Sequence, residues 1–168
     1  DSVNRTISRI VNQILERNNG ARDLAIIGIR TRGVYIAGRI AGEIERIEGI
    51  KPPLGTLDIT LYRDDLRHKA EWPKVKKTEI PFPVEDKKVI LVDDVIYTGR
   101  TIRAAIDEIM DYGRPSSIQL VALIDRGLRE LPIQPDYVGS RLDTLSSEEV
   151  NVRLREADGA DEVIIVTG

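Results

Sequence analysis

The chain has 168 residues, 41% of them hydrophobic and 32% charged, a mixture typical of one folded domain. It has no cysteine and a single histidine, which excludes disulfides, thiolate metal sites, a cysteine nucleophile and a histidine-based metal cluster. No apolar run is long enough to span a membrane, and a cytoplasmic location is expected. The net charge of −3 divides into +4 over residues 1–88 and −7 over residues 89–168, so the totals lack the basic footprint of tight non-specific nucleic-acid binding.

The first part of the chain predicts a helix followed by the start of a βαβ unit. Apolar residues recur at helical spacing over residues 3–17. Residues 24–29 (LAIIGI) are continuously apolar, which is typical of a strand buried on both faces. A Thr-Arg-Gly loop and an amphipathic helix over residues 34–47 follow. Residues 57–61 alternate between apolar and polar side chains, which predicts a half-exposed strand.

Residues 62–81 are polar and charged, without a clear period. Twenty such residues in a compact domain predict either a flexible loop over a functional site or a protruding arm that only mediates subunit contacts. His68 and Trp72, which lie in this arm, are expected to be structural or exposed rather than catalytic.

The middle of the chain repeats the strand–helix–strand pattern. Residues 88–95 and 117–125 predict two more buried strands, joined by a helix over residues 101–112. Alternation of strands and helices in this order predicts an α/β fold with a parallel sheet. We therefore expect a parallel core that ends near residue 125.

The pattern changes over residues 126–168, which we expect to form a small β-rich subdomain over the core. This segment is loop-rich, with one short strand at residues 137–138. Residues 150–154 and 162–166 are expected to pair as a hairpin. The whole chain, residues 1–168, is interpreted as a single domain.

Residues 89–101 (VILVDDVIYTGRT) carry the most informative pattern in the chain. Asp93 and Asp94 stand at the carboxyl end of an apolar strand, where ligands bind in open α/β sheets. The turn into the next helix then consists of Tyr97, Thr98, Gly99, Arg100 and Thr101. Such a turn offers an anion several backbone N–H groups, two hydroxyls and the positive end of a helix dipole. Gly99 lets the backbone approach a ligand closely or adopt a positive φ.

A phosphate at this turn and two carboxylates about a ribose length away predict a sugar-phosphate site. The acids would accept hydrogen bonds from the sugar diol. The alternative is that Asp93 and Asp94 only cap the following turn or form surface ion pairs.

The same segment resembles the phosphoribosyl-pyrophosphate (PRPP) motif of type I phosphoribosyltransferases: an apolar strand, two acids, an apolar pair and T-G-x-T. The likeness runs to about residue 139 and is greatest to members that combine uracil phosphoribosyltransferase activity with attenuation of the pyrimidine operon. It is carried by IGIRTRGVYIAGRIA (27–41), LDITLYRDDL (57–66), VILVDDVIYTGRT (89–101), GRPSSIQLVALIDRG (113–127) and RELPIQPDYVG (129–139). It implies a central parallel sheet flanked by helices, a small β-rich hood over residues 126–168 and a homo-oligomer, dimeric or larger.

The resemblance also implies the reaction uracil + PRPP → UMP + pyrophosphate, with Mg²⁺ carried by PRPP near Asp93 and Asp94. These acids would hold the ribose hydroxyls, and the turn at residues 97–101 would hold the 5′-phosphate. The residues that match the pyrophosphate loop are Thr31, Arg32 and Gly33. Arg32 would stabilise charge on the leaving group. Taken alone, it would be a solvated loop cation.

Two further regions acquire roles from the resemblance. Arg63 and Asp64, at the start of the polar arm, match the flexible loop over the site, which would exclude water from the reacting centre. Arg126 begins the hood that recognises uracil. The reaction needs no protein nucleophile, because the enzyme positions the partners and stabilises charge as pyrophosphate leaves.

The second activity of these relatives is binding of messenger-RNA leader hairpins, and here the chain departs from the family pattern. Where the pattern has Thr, His, His, Arg and Lys, the chain has Ser8, Asn12, Leu128, Gln134 and Ser140. Only Arg129 stands at its expected basic position. Each lost cation removes a potential phosphate contact, which predicts weak or lost RNA binding. Two alternatives stay open: a full regulator that binds leader RNA in a nucleotide-dependent way, or a protein of this fold that uses another base or is no longer catalytic.

Overall fold

The computed structural model describes residues 2–59 and 78–167. Five strands form its main sheet: β1 (Leu24–Ile29), β2 (Leu54–Leu57), β3 (Lys88–Ile96), β4 (Ser117–Asp125) and β5 (Tyr137–Arg141). Three helices accompany them: α1 (Ser2–Asn18), α2 (Arg32–Glu48) and α3 (Arg100–Asp111). The strand order is β2-β1-β3-β4-β5, and every neighbouring pair is parallel. The predicted parallel α/β core is confirmed.

The sheet separates two hydrophobic layers. One layer joins α1 and α2 to the sheet and includes Ile10, Ile40 and Ile90. The other includes Leu91 of β3 and Ile102 and Ile109 of α3. All of these side chains are at most 1% exposed, and burial of each contributes roughly 1.5–3 kcal/mol relative to exposure. Coverage of both faces explains why β1 is apolar at every position.

The two edges of the main sheet differ from the prediction. β2 pairs Leu54 with Ile26 and Leu57 with Ile29. The strand therefore ends at Leu57, the residue at which the sequence predicts a strand to begin. β5 pairs with β4, and the parallel sheet therefore continues past residue 125 to Arg141. A side-chain bond favours this placement, because the Asp136 carboxylate accepts from the Leu120 amide at 2.7 Å at the start of the pairing.

The predicted C-terminal hairpin is confirmed as a separate two-stranded sheet. β6 (Glu148–Arg153) and β7 (Glu162–Thr167) are antiparallel, and the single helical turn α4 (Arg155–Asp158) lies between them. Of the polar arm, only residues 78–81 are described, so the predictions for Arg63, Asp64, His68 and Trp72 fall outside the described residues. In the two described ranges, every helix is too short or too polar to cross a membrane.

Candidate active site

A cavity of about 830 Å³ opens at the carboxyl edge of the main sheet. Three junctions meet there: β1 with α2, β3 with α3, and the main sheet with the C-terminal hairpin. All three junctions contribute side chains to the lining of the cavity, among them Arg32, Asp93, Asp94, Thr98, Arg126 and Asp158. The sheet therefore brings the sequence-predicted acids, phosphate turn and Thr-Arg-Gly loop together, as expected for the strand ends of an open α/β sheet.

Asp93 and Asp94 occupy the end of β3 with their carboxylates held by the local backbone. Asp93 Oδ1 accepts a hydrogen bond from the Asp94 amide at 2.9 Å, and Asp94 Oδ1 accepts one from the Val95 amide at 2.8 Å. Asp93 is only 7% exposed. These bonds agree with local capping, but both residues also line the cavity. These backbone bonds therefore orient two carboxylates that line a cavity large enough for a ligand.

The turn into α3 has the geometry of an anion site. Gly99 is the residue that precedes the helix and has φ +97°, a conformation that L side chains rarely adopt. Thr98 Oγ1 accepts from the Arg100 amide at 3.2 Å. The first amides of a helix have no intrahelical acceptor and favour an anion. The Arg100 guanidinium pairs at 2.9 Å with Glu130 across the surface. The backbone of the turn is therefore its anion-binding element.

The predicted reason for Gly99 needs a refinement. A Cβ at this position would lie 3.4 Å from the Cβ of Leu131 and 3.6 Å from Cδ of Arg129, ordinary contacts with the segment beneath the turn. The requirement for positive φ is confirmed. A side chain at this position would contact Leu131 and Arg129 beneath the turn, so the glycine is explained by the backbone conformation.

Arg129 supports the turn at residues 97–101 through a hydrogen bond to its backbone. Its guanidinium donates to the carbonyls of Tyr97 at 2.8 Å and Ile133 at 2.7 Å, and to the Asp125 carboxylate at 2.8 Å. The Arg129 side chain is 13% exposed and that of Asp125 is 6% exposed. Burial by itself would raise the pKa of Asp125, but the bonds from Arg129 and the Gly127 amide hold that pKa below its usual value. This inward orientation argues against the expected contact between Arg129 and RNA.

Arg126 joins the C-terminal hairpin to the same turn. It is 6% exposed, and its guanidinium donates to Thr144 Oγ1 and to the carbonyls of Leu145 and Glu148. The guanidinium carbon lies 4.1 Å from the centroid of the Tyr97 ring, within cation–π distance. Arg126 lines the cavity as predicted, but these contacts make it a link between hairpin and turn.

Arg32, which also lines the cavity, is the first residue of α2. A Cβ on the neighbouring Gly33 would lie 2.5 Å from the Val92 carbonyl and 3.3 Å from the Asp93 Cα. Gly33 therefore lets the start of α2 pack directly against the end of β3. This packing, rather than a direct ligand contact, explains the glycine of the Thr31-Arg32-Gly33 loop, whose Arg30–Thr31 peptide bond is cis.

Asp158 is a site residue that the sequence analysis missed. Arg32 donates to its two carboxylate oxygens, from Nη2 at 2.8 Å and from Nε at 3.2 Å. The hydrogen bond holds the pKa of Asp158 below, and that of Arg32 above, their ordinary values. The two residues are 126 positions apart, in segments without a shared local pattern. No signal in the sequence connects them.

Comparison with known proteins agrees with this arrangement. A family model described as the phosphoribosyl transferase domain matches residues 1–157. The bifunctional protein PyrR of Pelotomaculum thermopropionicum is 58% identical over 166 residues, which cover 99% of this chain and 92% of the relative. The chain belongs to the PyrR family of phosphoribosyltransferases. A second PyrR, from Chloroflexus aurantiacus, is 55% identical over 168 residues, 100% of this chain and 92% of that protein.

Solved structures show the same fold. A purine phosphoribosyltransferase from Pyrococcus horikoshii is 25% identical with a TM-score of 0.59, covering 84% of this chain and 83% of that chain. A hypoxanthine-guanine phosphoribosyltransferase from Bacillus anthracis has a TM-score of 0.64 at 17% identity, with 84% and 80% covered. Membership of the PyrR family confirms the predicted fold class and the predicted phosphoribosyltransferase activity.

Proposed function

We propose that this phosphoribosyltransferase uses uracil, transferring the ribosyl phosphate of PRPP to the base to give UMP and pyrophosphate. The observation that supports it best is that three kinds of group line one cavity. They are the helix turn at residues 97–101, the paired acids Asp93 and Asp94, and the cationic side chain of Arg32. PRPP carries a phosphate, a ribose diol and a diphosphate, which these three groups would bind. The choice of uracil is supported by the resemblance to the bifunctional members of the family.

The acids also fit the Mg²⁺ that would accompany PRPP. Mg²⁺ prefers carboxylate oxygens and takes much of its octahedral shell from water and substrate phosphates. Asp93 and Asp94 are adjacent in the chain and both line the cavity, so their carboxylates can contribute to such a shell. When bound, the ion would neutralise charge on the departing diphosphate.

The chain's own residues would act mainly by positioning and by electrostatics. The amides at the start of α3 hold the 5′-phosphate, and Asp93 and Asp94 accept from the ribose hydroxyls. Arg32 donates to the diphosphate and stabilises the charge that develops as it leaves. No side chain attacks the anomeric carbon. Effective concentration of base and ribosyl donor then accounts for much of the acceleration.

The C-terminal hairpin is the proposed wall for the base. Residues 149–153 of β6 line the cavity, and Arg126 ties this hairpin to the phosphate turn through Leu145 and Glu148. Backbone amides and carbonyls can recognise the edge of a pyrimidine without a catalytic side chain. The polar arm at residues 62–81 is proposed as the lid, as the family resemblance implies.

Weak RNA binding is the second part of the proposal. Arg9 of α1 donates to the carbonyls of Val138 and Gly139 in β5, so three of the substituted positions, Ser8, Asn12 and Ser140, belong to two elements that pack together. We call these three residues, with Arg9, the α1–β5 face. Asn12 and Ser140 are exposed. The full regulator is the second candidate, favoured by the bifunctional PyrR relatives.

One experiment separates these candidates. Uracil conversion by radiolabelled base exchange and gel shifts on a pyrimidine-operon leader hairpin are measured on the same preparation, at several salt concentrations. Conversion of uracil with only micromolar, salt-sensitive RNA binding supports the proposal. Nanomolar binding at about 150 mM salt supports the full regulator. Conversion of another base, or of none, overturns the uracil assignment. Sedimentation velocity of the same sample tests the proposed homo-oligomer.

A further inference from the structure

We propose that Asp158 is a positioning residue for Arg32, so that the C-terminal hairpin completes the diphosphate end of the cavity. This inference rests on the proposed function of the site. Arg32 opens α2, and Asp158 closes α4, the short turn between the two hairpin strands. Both residues line the cavity, and their bidentate ion pair joins the start of α2 to the turn of the hairpin.

Asp158 is anchored by the protein core. Its Oδ2 accepts a hydrogen bond from the Leu154 amide at 2.8 Å, and Leu154 is fully buried in the hydrophobic layer beneath α2. The Asp158 side chain is 19% exposed, and that of Arg32 is 35% exposed. The Asp158 carboxylate therefore has a backbone anchor in addition to its two bonds from Arg32.

A second arginine of α2 holds the same turn in place. Arg39, seven positions after Arg32, donates to the carboxylates of Glu156 and Asp161. The Asp161 side chain is 3% exposed, and this pairing lowers its pKa to about 2. The loop from β6 to β7 is thus bound to α2 by two arginines. Displacement of Asp158 from Arg32 would also disturb the pairs that Arg39 makes with Glu156 and Asp161.

The pair leaves Arg32 able to bind a ligand. A guanidinium has five N–H donors in a fixed plane, and the two bonds to Asp158 use one on Nε and one on Nη2. The fixed plane directs the remaining donors away from Asp158, and Arg32 lines the cavity with Asp93 and Asp94. Ordering an arginine in advance removes part of the entropy cost of binding, which is worth roughly three- to tenfold in affinity.

Electrostatics alone predicts the opposite effect. Asp158 places a negative charge beside a site for a polyanion, so a carboxylate that merely competed with diphosphate for Arg32 would weaken binding. Removal of that charge by Asp158→Asn would then strengthen the binding of pyrophosphate. The positioning role predicts weaker binding, and the sign of the change separates the two.

The test uses calorimetric titration of the full-length chain with inorganic pyrophosphate in the presence of Mg²⁺, and with UMP. For Asp158→Asn we expect pyrophosphate affinity and kcat/KM for PRPP to fall about three- to tenfold, with UMP affinity unchanged. The asparagine can still accept from the Leu154 amide, so the fold should survive. The matched control is Glu43→Gln, which removes the same charge from another arginine pair, with the exposed Arg46 of α2, and neither residue is among those that line the cavity. It should leave both affinities unchanged.

A double-mutant cycle with Arg32→Ala completes the test. If Asp158 acts through Arg32, Asp158→Asn changes pyrophosphate affinity little in the Arg32→Ala background. Stronger or unchanged pyrophosphate binding by Asp158→Asn, or equal effects in both backgrounds, would overturn the inference. A wild-type chain that binds pyrophosphate but does not convert uracil would instead overturn the proposed function and leave this inference testable by calorimetry.

Discussion

The cavity at the carboxyl edge of the sheet and the α1–β5 face match the family pattern to different degrees. In the cavity, the acids, the T-G-x-T turn and the Thr-Arg-Gly loop are all present and converge on one space. On the α1–β5 face, Ser8, Asn12 and Ser140 replace the residues that the RNA-binding pattern expects. Arg129 donates to the carbonyl of Tyr97, a residue that lines the cavity. This difference is the basis of the proposal that catalysis is retained while RNA binding is weak.

The largest expected effect comes from removal of the paired acids. Asp93→Asn with Asp94→Asn should lower UMP synthesis by about a thousandfold or more, because the ribose hydroxyls lose their carboxylate acceptors and the magnesium ion loses its anionic ligands. The fold should survive, since both amide side chains can still accept the local backbone bonds. Thermal unfolding provides the control. Unchanged PRPP affinity in calorimetry would refute the assignment of the acids to the ribose.

Arg129→Ala tests whether Arg129 belongs to the cavity or to the RNA surface. The change leaves the buried Asp125 carboxylate without its cation, which should destabilise the protein by about 3–5 kcal/mol. UMP binding should weaken as well, because the Tyr97 carbonyl loses its donor. The matched control is Glu130→Ala, which breaks only the exposed pair with Arg100 and should cost at most about 1 kcal/mol. An Arg129→Ala protein with normal stability and impaired RNA binding would assign this residue to RNA.

Restoration of the side chains that the RNA-binding pattern expects on the α1–β5 face should strengthen RNA binding. Asn12→His and Ser140→Lys together add about two contacts of roughly 1 kcal/mol each, or about thirtyfold in leader-RNA affinity. Gln134 is left unchanged, because its side chain accepts a hydrogen bond from Arg129. The salt dependence of binding should steepen, and uracil conversion should barely change. Gel shifts across a salt series measure both. Nanomolar binding by the unaltered protein at about 150 mM salt would show that the cations are not needed.

Gly99→Ala should produce the smallest of these effects. The added Cβ fits against Leu131, so the cost is the strain of φ +97°, about 1–2 kcal/mol. The melting temperature should fall by about 2–8 °C, with a comparable loss in UMP affinity as the turn relaxes. Loss of UMP binding without any change in melting temperature would show instead that a side chain at this position obstructs the phosphate.

Local pattern determined most of what could be predicted about the fold and the phosphate end of the site. The β3–α3 segment contains strand, acids, turn and helix start within 13 consecutive residues, so its chemistry is visible in the chain itself. Buried apolar runs likewise predicted β1, β3 and β4, because a strand covered on both faces has no polar positions. The five residues of β5 carry too little pattern to show which sheet they join, so the sequence predicts them as part of the hairpin subdomain.

Only the tertiary structure decided what the arginines do. A guanidinium is equally suited to solvent, phosphate, RNA or a buried carboxylate, and its partner depends on groups that lie far away in the chain. Folding turned Arg129 inward onto Asp125 and the Tyr97 carbonyl, and it joined Arg32 to Asp158 across 126 positions. The sequence by itself determined which charges the chain contains and where the sheet presents its ligand edge. The packing of α2 against the C-terminal hairpin decided which of those charges meet, because an ion pair forms only where the backbone brings its two partners within reach.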